Sequence, residues 1–341
     1  MMKNILIFII IVLSCSTLIF ADTLVVLNKA EATASIIDLK TGAVKATVKT
    51  GNGPHEASAS KDGKLAVATN YGTAEEPGNS LTVIDLSAGA ALKTLDLGEY
   101  KRPHGIQWMP DGKQRVAVTA EENKALLIVN IETGQVEKKI ITGQEASHMV
   151  QLSPDAARAY VASRGSGTVS VIDLNKDEVI KTIETGKGAE GIDITPDGAW
   201  IWVTNREADT VSVIDAKSFE VVKTLESKSV PIRAKATPDG KRVYVTNAKS
   251  GDVTVFDVTE KKELQKIQIP VEVSDMTGKL SGGQFGNGSV PVGILIHPDG
   301  KHAYIAHSNA DIITILDLET GKVSGKLKGG KEPDGMAYSP I

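Results

Sequence analysis

The chain has 341 residues, with 38 Lys and Arg against 42 Asp and Glu, a formal net charge of −4. Charged residues at 23% and hydrophobic residues at 41% match ordinary globular composition, which excludes wholesale disorder. The mildly acidic balance lacks the basic footprint of a nucleic-acid binder, and a single cysteine excludes a disulfide framework.

From the N-terminus, Lys3 precedes an almost wholly apolar run from Ile5 to Phe20, and Ala21 closes a small-residue cleavage site. Residues 1–21 therefore read as a secretory signal peptide, and the protein is expected in the periplasm or outside the cell. Val12-Leu13-Ser14-Cys15 loosely resembles a lipoprotein box, but the apolar run continues past it and favours cleavage after Ala21. No later apolar stretch is long enough to span a bilayer.

Everything after residue 21 repeats. An apolar strand ending in an acid or amide recurs as Ile36-Ile37-Asp38, Val83-Ile84-Asp85, Ile128-Val129-Asn130, Val171-Ile172-Asp173, Val213-Ile214-Asp215, Val255-Phe256-Asp257 and Ile315-Leu316-Asp317. A base period of about 42 residues is the mark of a propeller or solenoid. Each copy holds four short strands, here called A to D. One copy predicts strand A at 191–195, a Pro196-Asp197-Gly198 turn, strand B at 200–204, strand C at 210–214 and strand D at 221–225. Four antiparallel strands per repeat suit a propeller blade. The chain from residue 22 opens on a strand B, Thr23 to Leu27, and ends on a strand A, Asp334 to Ser339. The two termini are therefore expected to share one blade and close the ring. The expected fold is an all-β, seven-bladed propeller over 22–341, a monomer in need of no partner for stability.

Arg242-Val243-Tyr244-Val245-Thr246-Asn247 and Ile201-Trp202-Val203-Thr204-Asn205 resemble the YVTN-repeat β-propeller family, most closely its periplasmic YncE-like members. Asn70-Tyr71-Gly72 and Pro54-His55 are similar, more distantly, to lactonase-type propellers. Haem-d1 and copper-cluster reductases carry comparable propellers. The resemblance implies a fold and a compartment and leaves the chemistry open.

Function in a repeat protein is sought where the copies diverge. Seven residues before each turn Asp, at the entrance to strand A on the face termed the top, stand His55, His104, His148, Glu190, Ile232 and Val292, with Asp334 in the closing blade. Three histidines on consecutive blades could converge on one zinc, copper or iron ion, with Glu190 as a fourth ligand or a base. A metal-free histidine ring and plain surface positions remain open alternatives. After the strand-B asparagine position the chain reads Lys29, Tyr71, Glu121, Arg164, Arg206, Ala248 and Ser308. Arg164, Arg206 and the nearby Arg233 favour an anionic ligand, unless Glu121 and Glu207 merely balance them. His307 replaces the strand-B asparagine in one blade and is a further candidate. The recurrent Asp62, Asp111, Asp155, Asp197, Asp239 and Asp299 read as structural, and His297 and His302 as bystanders at the opposite end.

Two insertions fall on the top face: residues 271–290, Gly-rich around Phe285 and read as a lid, and Gly72 to Asn79, which carries Glu75-Glu76. No Walker loop, dinucleotide fingerprint or nucleophile elbow is present. Three functions follow: a propeller binding a small anion, metal or cofactor in the top funnel; a metal-assisted lyase, lactonase or hydrolase using His148 and Glu190 for proton transfer; or a scaffold for a periplasmic protein partner.

Overall fold

The computed structural model describes residues 22–227, 229–279 and 285–341. The expected signal segment with Cys15, and residues 280–284 at the centre of the expected lid, lie outside them. The described strands form seven four-stranded antiparallel sheets arranged as a closed ring of blades. With the blade that holds Thr23–Asn28 counted as blade 1 and the others numbered in chain order, blade 5 is representative: strand A is Ala189–Ile194, B is Trp200–Asn205, C is Thr210–Asp215 and D is Glu220–Glu226. Strands B and C are buried on both faces because each sheet is packed between two others, whereas strand A turns part of its surface to the channel. Thus Met149, Tyr160, Val171 and Ile183 of blade 4 meet Ile192, Ile201, Val203 and Ile214 of blade 5 in one core. Strand D has one neighbour and turns its back to water, so Glu178–Glu184 buries only Ile183.

The closing blade joins the two ends of the chain as expected. Strand A, Pro333–Ser339, pairs antiparallel with strand B, Thr23–Asn28, setting Thr23 opposite Ser339 and Val25 opposite Ala337. Below this seam, Tyr338 donates its hydroxyl proton to Asp22 at 2.7 Å, and His297 Nε2 lies 3.2 Å from the same carboxylate.

The recurrent polar residues are joints. In the A–B turn, Asp197 accepts bonds from Thr195 Oγ1 and the Ala199 N–H, and Asp62 and Asp239 repeat the pattern. Gly198 holds φ at +73° there, and blade 4 alone places a side chain, Ala156 at +51°, in that left-handed corner. The strand-C Asp residues accept from backbone N–H groups of the C–D turn, as Asp215 does from Lys217 and Ser218. The strand-B Asn residues tie strand B to C: Asn205 Nδ2 donates to Thr210 and Ser212, and Asn70 Nδ2 to Ser80 and Thr82.

Candidate functional site

The threonine one place before the end of strand B, followed by asparagine except at Ala120, builds the funnel. Its hydroxyl on one blade donates to the strand-A entrance of the next: Thr69 to the His104 carbonyl at 2.9 Å, Thr119 to His148 at 2.7 Å, Thr204 to Ile232 and Thr246 to Val292, both at 2.9 Å. Strand A is bulged at the same place in every blade, with the register slipping between Pro54 and Ala57, Pro103 and Ile106, Ser147 and Met149, and onward round the ring. A bulge re-aims a side chain, and here it presents one residue per blade to the channel. The strands A crowd closely beneath: a Cβ on Gly293 or Gly335 would stand 2.1 Å from the carbonyl oxygen of Asp334 or His55.

A cavity of about 270 Å³ results, lined by all seven strand-A entrance residues: His55, His104, His148, Glu190, Ile232, Val292 and Asp334. Lys29, Tyr71, Arg164, Arg206 and Arg233 line it as well, and Phe285 and Val290 of the insertion form part of its wall. The histidine register thus meets the arginine arc in one space. His307 does not join them. Its Nδ1 bonds Ser289 at 2.9 Å and its Nε2 bonds Thr314 at 3.0 Å, so it performs the joint that asparagine performs in other blades. Burial holds its pKa down at about 3. Glu75 and Glu76 are exposed and outside the cavity, whereas Tyr71 at the base of that hairpin lines it.

The charges are paired with one exception. Lys29 lies 3.2 Å from Asp334, Arg206 Nη1 holds both oxygens of Glu190 at 2.9 and 3.1 Å, and Arg233 reaches across the channel to Glu56 at 2.6 Å. His148 is bracketed by carboxylates, with Nδ1 on Glu121 and Nε2 3.4 Å from Glu190. Tyr71 donates to the other oxygen of Glu121 at 2.6 Å. A continuous Tyr–Glu–His–Glu–Arg chain therefore runs along the wall and can hold or pass a proton. The half-buried Arg164 guanidinium makes no hydrogen bond or ion pair with any described residue.

Burial alone would lower the His148 pKa, but Glu190 and Glu121 raise it. Glu190 is held far below the carboxylate range, because His148, Arg206 and Arg233 together outweigh its burial. His55 is pushed down to about 4 by burial and then by Lys29, and burial with His148 beside it lowers His104 further. The carboxylates thus favour charge on His148, whereas burial favours the neutral form of His55 and His104. Of eleven buried side-chain polar atoms among the described residues without a close hydrogen-bond partner, five belong to residues of this cavity: His104 Nδ1, Arg206 Nε and Asp334 Oδ1, with His148 Nε2 and Arg233 Nη1 making only the longer approaches of 3.4 and 3.7 Å to Glu190.

Donor atoms of His104, Glu121 and His148 lie within 4.8 Å of one another, a set suited to a transition metal. His55 is not in that cluster, since its Nδ1 faces the Gly53 carbonyl at 2.8 Å. Ring spacing separates the pairs. Two imidazoles bound cis to one ion at ~2.0 Å place their ring centres about 4.5 Å or more apart. His55 and His104 are 5.0 Å apart, whereas His104 and His148 are stacked at 3.7 Å. An ion shared by the latter two requires the stack to open. Sequence reasoning missed Glu121 and Glu56 as partners. Glu121 was visible as the acid in an otherwise neutral or basic register, whereas the pairing of Glu56 with Arg233 joins residues 177 apart.

The cytochrome D1 heme domain family model matches residues 111–264 of the chain. No curated protein matches it. Among solved structures, Kuenenia stuttgartiensis hydrazine synthase is similar with a TM-score of 0.70 and 22% identity, covering 84% of this chain and 90% of that one. A functionally unknown protein from Desulfotomaculum acetoxidans DSM 771 gives a TM-score of 0.74 at 15% identity, covering 93% of this chain and 98% of its own. At these identities the likeness is one of fold: the chain is a seven-bladed β-propeller.

Proposed function

We propose that this propeller binds a small anion in its top funnel. The observation that carries the reading is the surplus cation. Lys29–Asp334, Arg233–Glu56, Arg206–Glu190 and His148–Glu121 account for each other, Arg233 Nη1 lies 3.7 Å from Glu190 as well, and Arg164 is left over with the unbonded Nε of Arg206 in the same cavity. Planar guanidinium groups with free N–H donors match carboxylate and oxyanion geometry. Export through the 1–21 segment, and kinship to the YVTN and YncE-like propellers, are parts of the same proposal. No helix among the described residues is long and apolar enough to cross a membrane.

Thermal unfolding tests the reading. Phosphate, sulfate and simple carboxylates should raise the midpoint with concentration, as any ligand of the native state does. The Arg164→Gln/Arg206→Gln variant should lose that response, and an unchanged response would refute the reading.

A metal centre at His104, His148 and Glu121 is a second reading, favoured by their convergent donors. Zinc, copper or iron, near one per chain in protein prepared without chelator and lost from His55→Ala/His104→Ala/His148→Ala, would establish it. Haem, named in the description of the matching family, fits the funnel poorly. A tetrapyrrole with its substituents needs a pocket well inside the roughly 300–1,000 Å³ range of organic ligands, and the cavity offers about 270 Å³.

A further inference from the structure

The funnel has two unlike halves. Blades 2 to 5 bring His55, His104, His148 and Glu190 to the ring, and blades 6 and 7 bring Ile232 and Val292 to the same register. Ile232, Ala248 and Val290 form one apolar cluster, with Phe285 and Val292 partly buried against it. Phe285 and Val292 keep exposed surface and line the cavity. The Arg206 guanidinium lies 5.5 Å from the centre of the Phe285 ring, so the cationic and apolar walls adjoin. An inorganic oxyanion or a bare metal ion gains nothing from an aliphatic and aromatic wall. A carbon skeleton does. At about 30 Å³ of liquid volume per water molecule, the space holds roughly nine waters, enough for an acid of several carbons.

Resting on the anion reading above, we infer that the ligand is a small organic carboxylate: its head meets Arg164 and Arg206, and its short carbon body lies against Val292 and Phe285, which Ile232 and Val290 back from behind. The aromatic ring of Phe285 and the Val292 side chain then select by shape and length, while the guanidinium groups select by charge.

Isothermal titration of the whole chain with sulfate, acetate, butyrate and hexanoate at matched ionic strength tests the inference. Affinity should rise roughly threefold to fourfold per added methylene until the cavity is filled. Phe285→Ala should flatten that rise and leave acetate within about twofold. Arg164→Gln should weaken acetate and hexanoate by a similar factor, on the order of tenfold. Sulfate binding as tightly as hexanoate, or a flat series in the unaltered protein, overturns the organic body and leaves the anion reading standing. If no member binds, both fall together. A Phe285→Ala protein that is less stable but keeps the full chain-length dependence assigns the ring to anchoring the insertion, and overturns its part in recognition.

Discussion

The two ends of the propeller are made from the same repeats and have opposite characters. At the lower end, one turn is copied with little change, with an Asp accepting the same hydroxyl and backbone bonds in blade after blade. At the upper end, the seven entrance residues are three histidines, two acids and two aliphatics. Where every blade needs the same joint, the residue stays the same. Where seven blades share one cavity, each contributes a different group. A ring fold thus separates what holds it together from what it does along its own axis.

The strongest way to break this separation is the Arg233–Glu56 pair, which belongs to the upper channel yet spans it as a strut. Arg233→Ala leaves a buried carboxylate without its partner, and urea denaturation should show a loss of about 3–5 kcal/mol. Replacing both partners by apolar residues should recover most of it. A small loss in the single variant would mean that water reaches Glu56 and that the strut is ornamental to stability.

Next in size are the lower turns. Asp197→Ala removes the bonds from Thr195 and the Ala199 N–H and should cost about 1 kcal/mol in the same assay, with anion binding unchanged. Altered binding would show that the two ends are coupled.

The two ends should also titrate in opposite directions. His148 has a folded pKa above its unfolded value near 6.5, so its contribution is complete below that pH and fades as pH rises through the folded pKa. His148→Gln should therefore remove part of the fall in stability between pH 6 and pH 9. Asp197 has a lowered folded pKa, because Thr195 and the Ala199 N–H bond its carboxylate. Its contribution is present above the unfolded value of about 3.9 and fades as pH falls through the folded pKa. Asp197→Ala should thus differ from the parent less at pH 2.5 than at pH 6. The smallest expected effect is a gain: Ala156→Gly relieves a left-handed alanine in the blade 4 turn and should stabilise by about 0.5 kcal/mol, read as a shift in urea midpoint.

The architecture was legible because its signal is local and repeated. Alternating β-branched runs, Pro-Asp-Gly turns and terminal half-blades each state their own place, and strand bounds agree to within a residue or two, as for Trp200–Asn205. The entrance register was equally readable, since it is a fixed offset from a visible turn. Which way a side chain leans was not. His307 sits at a position that sequence aligns with the top face, and only the placement of Ser289 and Thr314 shows both its nitrogens engaged. The choice between Glu121 and His55 as neighbour to His148 depends on ring rotations that no spacing encodes. The partnership of Glu56 with Arg233 exists only once blades 2 and 6 face each other across a closed ring.

That closure has a consequence for timing. Strand B of blade 1 leaves the ribosome before blades 2 to 7, and its partner, Pro333–Ser339, leaves after them. Blades 2 to 7 are contiguous in the chain and can assemble as they emerge, whereas blade 1 waits for residues 333–339. Asp334 brings its carboxylate to Lys29 in that same step. Until then the nascent molecule is an open arc with a bare strand at its leading end, a form that keeping the chain unfolded until synthesis is complete would avoid.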